Sequence, residues 1–235
     1  MEHTRVALVP RIRPTALFAA TAACVVLGAL VWHSRGPEIW ERPFIALLRH
    51  ERPPMARPLL LLWQPLPLTL ATLWLAQRAA KTRRALLACS GTFGCALAIG
   101  LTELFLKPLV GRHHFHAGSA LFPSGHVAAA AAWAMFAWLV MDPRSQLRSA
   151  LGAVPILVGW AAIATGAHYP ADAIAGLFVG GVVVYCTVFA ADRLAIAAGR
   201  RHRPVSAPAE AHIDLSMDAV ALPRTGTDVR SNARR

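Results

Sequence analysis

Three short stretches hold residues whose types and spacing suit phosphate chemistry. They are KPLVGRHHFH from Lys107 to His116, PSGH from Pro123 to His126, and GAHYPAD from Gly166 to Asp172. Lys107 and Arg112 bring positive charge. Ser124 and Gly125 open an apolar run, and a helix starting there presents unpaired N–H groups and the positive end of its dipole to an anion. Gly125 has no side chain, so the backbone can approach a ligand closely. His126 and His168 each suit nucleophilic attack or proton transfer near neutral pH. Asp172 follows His168 by four residues, and Pro170 suits the first turn of a helix. A carboxylate placed there can accept a hydrogen bond from one ring nitrogen of His168 and leave the other free to attack. Glu103, four residues before Lys107, is spaced to pair with it across one helical turn. Taken singly, these features also serve as helix caps or mark a water interface. Their meaning depends on the elements that carry them.

Those elements read as membrane spans. The chain has 235 residues, 56% hydrophobic and 15% charged, against roughly a quarter charged in a soluble domain. Six apolar blocks are long enough, or nearly so, for a bilayer that takes about 20 residues per helix. They run over 15–32, 58–76, 85–106, 125–141, 150–165 and 171–191. Pro65 and Pro67 predict a kink in the second. The expected fold is therefore all-α, a polytopic membrane bundle of about six helices. The expected divisions are a short cytoplasmic segment over 1–14, a membrane domain over 15–193 and a basic, disordered tail over 194–235.

Most of the 24 Lys and Arg residues fall on one side of this layout, including the knot Arg78, Lys81, Arg83 and Arg84 and the tail. The positive-inside rule then places both termini in the cytoplasm. All three polar stretches come to the opposite face. The net charge of +12 fits basic loops beside anionic headgroups, and no nucleic-acid-binding motif accompanies it. Cys24, Cys89, Cys95 and Cys186 all fall inside apolar blocks without C-x-x-C spacing, which argues against a disulfide framework or a zinc site. Between the first two blocks, Trp40, Phe44, Leu47 and Leu48 can share one face of an interfacial helix, with charges opposite. Nothing in that loop singles out chemistry, so it reads as a lid or headgroup-level support.

PSGH, followed about forty residues later by HYPAD and Gly176, resembles the type 2 phosphatidic acid phosphatase (PAP2), or lipid phosphate phosphatase, family, which is related to vanadium haloperoxidases. The family pattern is K-x6-R-P, P-S-G-H, then S-R-x5-H-x3-D. The resemblance implies phosphate binding by Lys107, Ser124 and Gly125. It implies that His126 protonates the leaving alcohol, that His168 is the nucleophile of a phosphohistidine intermediate, and that Asp172 orients it. It also implies chemistry without a metal or other cofactor, a lipid phosphate or diphosphate as substrate, and a bacterial inner membrane with the site facing the periplasm. Candidate substrates are phosphatidic acid, phosphatidylglycerol phosphate, polyprenyl diphosphate and lipid A.

Two departures stand out. Where the family has Arg-Pro, this chain has His114 and Phe115. Where it has Ser-Arg before the nucleophile, this chain has Ala161 and Ala162. The loss of two guanidiniums implies weaker phosphate binding, another arrangement of positive charge, or a member without activity. Arg112, His113, His114 and His116 are the residues placed to compensate, and Arg112 and His114 join the expected phosphate ligands. The alternatives to a hydrolase are a lipid phosphotransferase and a non-catalytic protein that binds or moves lipid phosphates. A metal centre built from the histidines is disfavoured, because their spacing matches no recognised ligand set.

Overall fold

The structure, a computed structural model, describes residues 12–34, 36–49, 54–82, 84–113, 120–142 and 145–201. Among these residues the fold is helical without strands. The helices are α1 (Pro14–Leu30), α2 (Arg42–Arg49), α3 (Ala56–Leu61), α4 (Pro65–Lys81), α5 (Ala85–Gly100), α6 (Lys107–Val110), α7 (Gly125–Val140), α8 (Gln146–Ala150), α9 (Ala153–Ala164) and α10 (Pro170–Arg201). Three continuous segments are long and apolar enough to cross a membrane: Ala85–Val110, Gln146–Ala164 and Pro170–Ala198. α1 and α7 are equally apolar in character but shorter, at 17 and 16 residues.

The block expected at 58–76 is two helices rather than one kinked span. α3 ends at Leu61 and α4 begins at Pro65. Both prolines lie in the first turn of α4, where the missing N–H groups would have had no intrahelical partner. The prolines therefore start a helix instead of bending one. α10 also runs past the expected tail boundary at 194, as far as Arg201. Its Leu, Ala and Arg residues favour helix on their own. Residues 202–235 lie outside the described residues.

The centre of the bundle is the pairing of α7 with α10, flanked by α5 and α9. Ala128, Ala129, Ala130, Ala131 and Ala132 are all buried, as expected of a small-residue face that lets backbones approach. Opposite them on α10 stand Gly176 and Gly180. A Cβ at Gly176 would lie 2.6 Å from the Ser124 carbonyl oxygen, and one at Gly180 would collide with the Ala128 carbonyl. This close approach sets the depth of the α7 start against the α10 start.

The α5 segment enters the site through a π-helical stretch, Leu101–Leu106, which leads directly into Lys107. Such a stretch changes the helical register and often lies beside a functional site. Gly111, at φ +63°, ends α6 in the left-handed conformation that glycine adopts without steric cost. Beyond it the backbone is stitched to the loop after α1. His33 N–H donates to Val110 O at 3.0 Å, and His113 N–H donates to Ser34 O at 3.1 Å.

Candidate active site

Ser124 caps α7. Its hydroxyl oxygen accepts from the N–H of Val127 at 3.4 Å, and its own N–H donates to the carbonyl of Asp172 at 2.9 Å. That second bond ties the start of α7 to the first turn of α10. His168 is held just before α10 by its N–H, which donates to Ala162 O at 3.1 Å. The His126 and His168 rings meet edge to face, with centroids 6.1 Å apart. His168 is buried, whereas His126 is partly open. Gln64, at the entry to α4, lies 3.3 Å from Nε2 of His126 through its side-chain nitrogen. Gln64 carries no motif and was not anticipated.

Lys107 reaches the same place. Its Nζ would be 3.6 Å from a Cβ on Gly125, so the ammonium stands over the start of α7. Both oxygens of Glu103 accept from this ammonium, each at 2.7 Å. The turn-to-turn pairing expected from the spacing is therefore present.

Arg112 occupies a different position from the one expected. It is fully buried, beneath the site. Nη1 donates to Glu41 at 3.2 Å and to Asp172 at 2.7 Å, while Nη2 donates to the Gly36 carbonyl at 3.0 Å and to the second oxygen of Glu41. The guanidinium also lies 4.7 Å from the centre of the Tyr169 ring. Burial alone would lower its pKa. The Glu41 hydrogen bond and the charges of Asp172 and Glu41 outweigh burial and push it above the ordinary arginine value. Arg112 is thus a permanent cation fixed between two carboxylates, with both terminal nitrogens committed.

Glu41 is the residue that the sequence reading missed. The loop that seemed to hold no chemistry supplies a carboxylate with no solvent exposure. Besides Arg112, it accepts from the N–H of Ala171 at 2.9 Å and from the N–H of Glu38 at 2.8 Å. It therefore holds the N-terminus of α10 as well as Arg112. Its one sequence signal is an acidic residue between apolar positions in an amphipathic stretch, and many surface helices share that signal. A helix is present there as α2, with Phe44 and Leu47 exposed and Leu48 packed inward beside Ile45, so Leu47 and Leu48 do not share the one face expected of them.

Asp172 is wholly buried beside His168, but its hydrogen bonds go elsewhere. Oδ1 accepts from Arg112, and Oδ2 accepts from the N–H of Tyr169 at 2.8 Å. The His168 Nδ1 lies 3.8 Å from Oδ2, just beyond hydrogen-bond reach, and among the described residues it has no hydrogen-bond partner. The carboxylate faces Nδ1 without bonding to it. Ala161 and Ala162, at the positions of the family's Ser-Arg, are fully buried in α9. His114 lies outside the described residues, as does His116. Of the expected residues, the fold brings together Lys107, Ser124, Gly125, His126, His168 and Asp172, and it sets Arg112 behind Asp172.

Fold and site together define a helical protein of membrane type, with three helix ends converging on a histidine pair and a lysine. Residues 107–194, the stretch that holds both histidines, match the family model described as PAP2 superfamily. No curated protein and no solved structure matches the chain. The family match supports a phosphatase-type function in general terms.

Proposed function

We propose that the protein is a membrane-embedded phosphatase that hydrolyses the phosphate monoester or diphosphate of a lipid through a phosphohistidine intermediate. The carrying observation is the edge-to-face pair of His126 and His168, 6.1 Å apart between centroids, beside Lys107 at the start of α7. In the first step Nε2 of His168 attacks phosphorus. The bond from phosphorus to the lipid oxygen breaks, and His126 gives its proton to that oxygen. In the second step His126 takes a proton from water, the water oxygen bonds to phosphorus, and the phosphorus–nitrogen bond breaks. Lys107 and the N–H groups at the start of α7 stabilise charge on the phosphoryl oxygens. Asp172 faces the imidazolium that forms on attack, and Arg112 holds that carboxylate in place.

The lipid part of the reading rests on the helices that suit a membrane and on an apolar groove of about 380 Å³. The groove lies between α2, α9 and α10, with Trp40, Phe44, Trp160 and Ile163 in its walls. Val127, next to His126, and Pro170, two residues after His168, also line it. It suits a hydrocarbon chain whose headgroup lies at the histidines. The proposed location is a bacterial inner membrane, with both termini cytoplasmic and the site facing outward.

The test is phosphate release from a panel of lipid phosphates by the full chain in detergent with chelator present, beside His168→Ala. Release that disappears in the variant supports the proposal. Release that chelator abolishes and a divalent ion restores contradicts it. A second reading, a lipid-phosphate-binding protein without turnover, is favoured by the commitment of Arg112 to Glu41 and Asp172. Binding of the lipids without release by any form supports that reading instead.

A further inference from the structure

The Glu103 carboxylate stands where an incoming phosphate has to bind. A Cβ placed on Gly125 would collide with its Oε1, so the carboxylate uses the space that glycine leaves at the start of α7. The same carboxylate holds Lys107 through both oxygens at 2.7 Å. It therefore engages both components of the cradle, the ammonium and the open backbone at a helix start. Among the described residues no other cation beside the start of α7 offsets this occupation. Arg112 is committed to Glu41 and Asp172, and alanines fill positions 161 and 162. The fixed charges Lys107 and Arg112 stand against Glu103, Glu41 and Asp172, so among the described residues the surroundings of the histidine pair are not cationic.

We propose that Glu103 is an internal competitor of the substrate phosphate and sets the affinity of this site, because phosphate reaches Lys107 and Gly125 only by displacing its carboxylate. The proposal rests on the phosphatase reading above. A phosphate monoester carries between one and two negative charges near neutral pH, and two anions crowded on one lysine repel. The π-helical stretch that carries Glu103 and its 42% exposed side chain leave the carboxylate room to swing outward. A built-in anion of this kind selects against weakly held phosphates as much as it lowers affinity overall.

The experiment measures equilibrium binding of inorganic phosphate to the full chain in detergent, for wild type, Glu103→Gln, Glu103→Ala and each combined with Lys107→Gln. Hydrolysis of a lipid phosphate is followed in parallel. Removing the charge should tighten phosphate binding by about two- to fivefold and lower KM more than it changes kcat. The gain should vanish in the Lys107→Gln background. If wild type binds phosphate and the two Glu103 variants bind it equally or more weakly, Glu103 supports Lys107 rather than competing, and the proposal fails while the phosphatase reading stands. A gain that persists without Lys107 also overturns it. Absence of phosphate binding and of hydrolysis in every form removes the phosphate site and the competitor with it.

Discussion

At the residue scale, the two histidines differ in what their replacement should cost. His126→Ala should slow hydrolysis of an alkyl lipid phosphate by about 10²–10⁴-fold, the usual range for loss of a general acid. It should slow an aryl phosphate much less, because an aryl oxide leaves without needing a proton. Equal losses on both substrates would contradict the acid role. Glu41→Ala tests the buried network. It leaves Arg112 with one of its two carboxylates and the Ala171 N–H without its acceptor. Removing one partner of a buried ion pair costs about 3–5 kcal/mol, which should appear as a clear fall in the thermal midpoint in detergent. An unchanged midpoint would show that the network contributes little. The histidines, Lys107 and the PSGH turn were legible because their chemistry is carried by residue type and short spacing. Glu41 was not legible, because 71 residues separate it from Arg112. Only the folded chain shows that its carboxylate is indoors.

At the scale of elements, the site is as precise as the contact between α7 and α10. Gly180 faces the Ala128 backbone, and backbone cannot rotate away as the end of a side chain can. Gly180→Ala should therefore push the two helices apart, destabilise the bundle by about 1–3 kcal/mol as overpacking does, and lower activity by separating His126 from His168. A thermal melt together with the hydrolysis assay checks both parts. A stable, fully active variant would show that the close approach is not needed. The alanine-rich stretch at 128–132 is a composition that suits such packing. The π-helical entry to Lys107 did not show, because the apolar pattern over 85–106 suits either kind of helix. Pro65 and Pro67 predict a kink where the structure has a break between α3 and α4. Proline marks both kinks and helix starts, and only the conformation of Trp63 and Gln64 decides between them.

At the scale of the whole molecule, the proposed orientation predicts which ends of the helices are reachable. With the four native cysteines replaced by alanine, Ala167→Cys, exposed beside the site, should react with a membrane-impermeant maleimide from outside. Lys81→Cys, exposed at the end of α4, should react only after the membrane is opened. The reverse pattern would invert the topology. Apolar composition and block length already pointed to a helical bundle in a membrane, since burying so much apolar surface in a chain this short calls for lipid. The residue order likewise pointed to a phosphate cradle, because a glycine at a helix start, a lysine and two histidines have few other uses together. Tertiary structure alone decided the electrostatics. Arg112 and Glu103 are single letters with obvious charges, but a charge acts over distances set by the fold. The fold gives Arg112 to two carboxylates and sets Glu103 on the lysine and glycine that a phosphate would need.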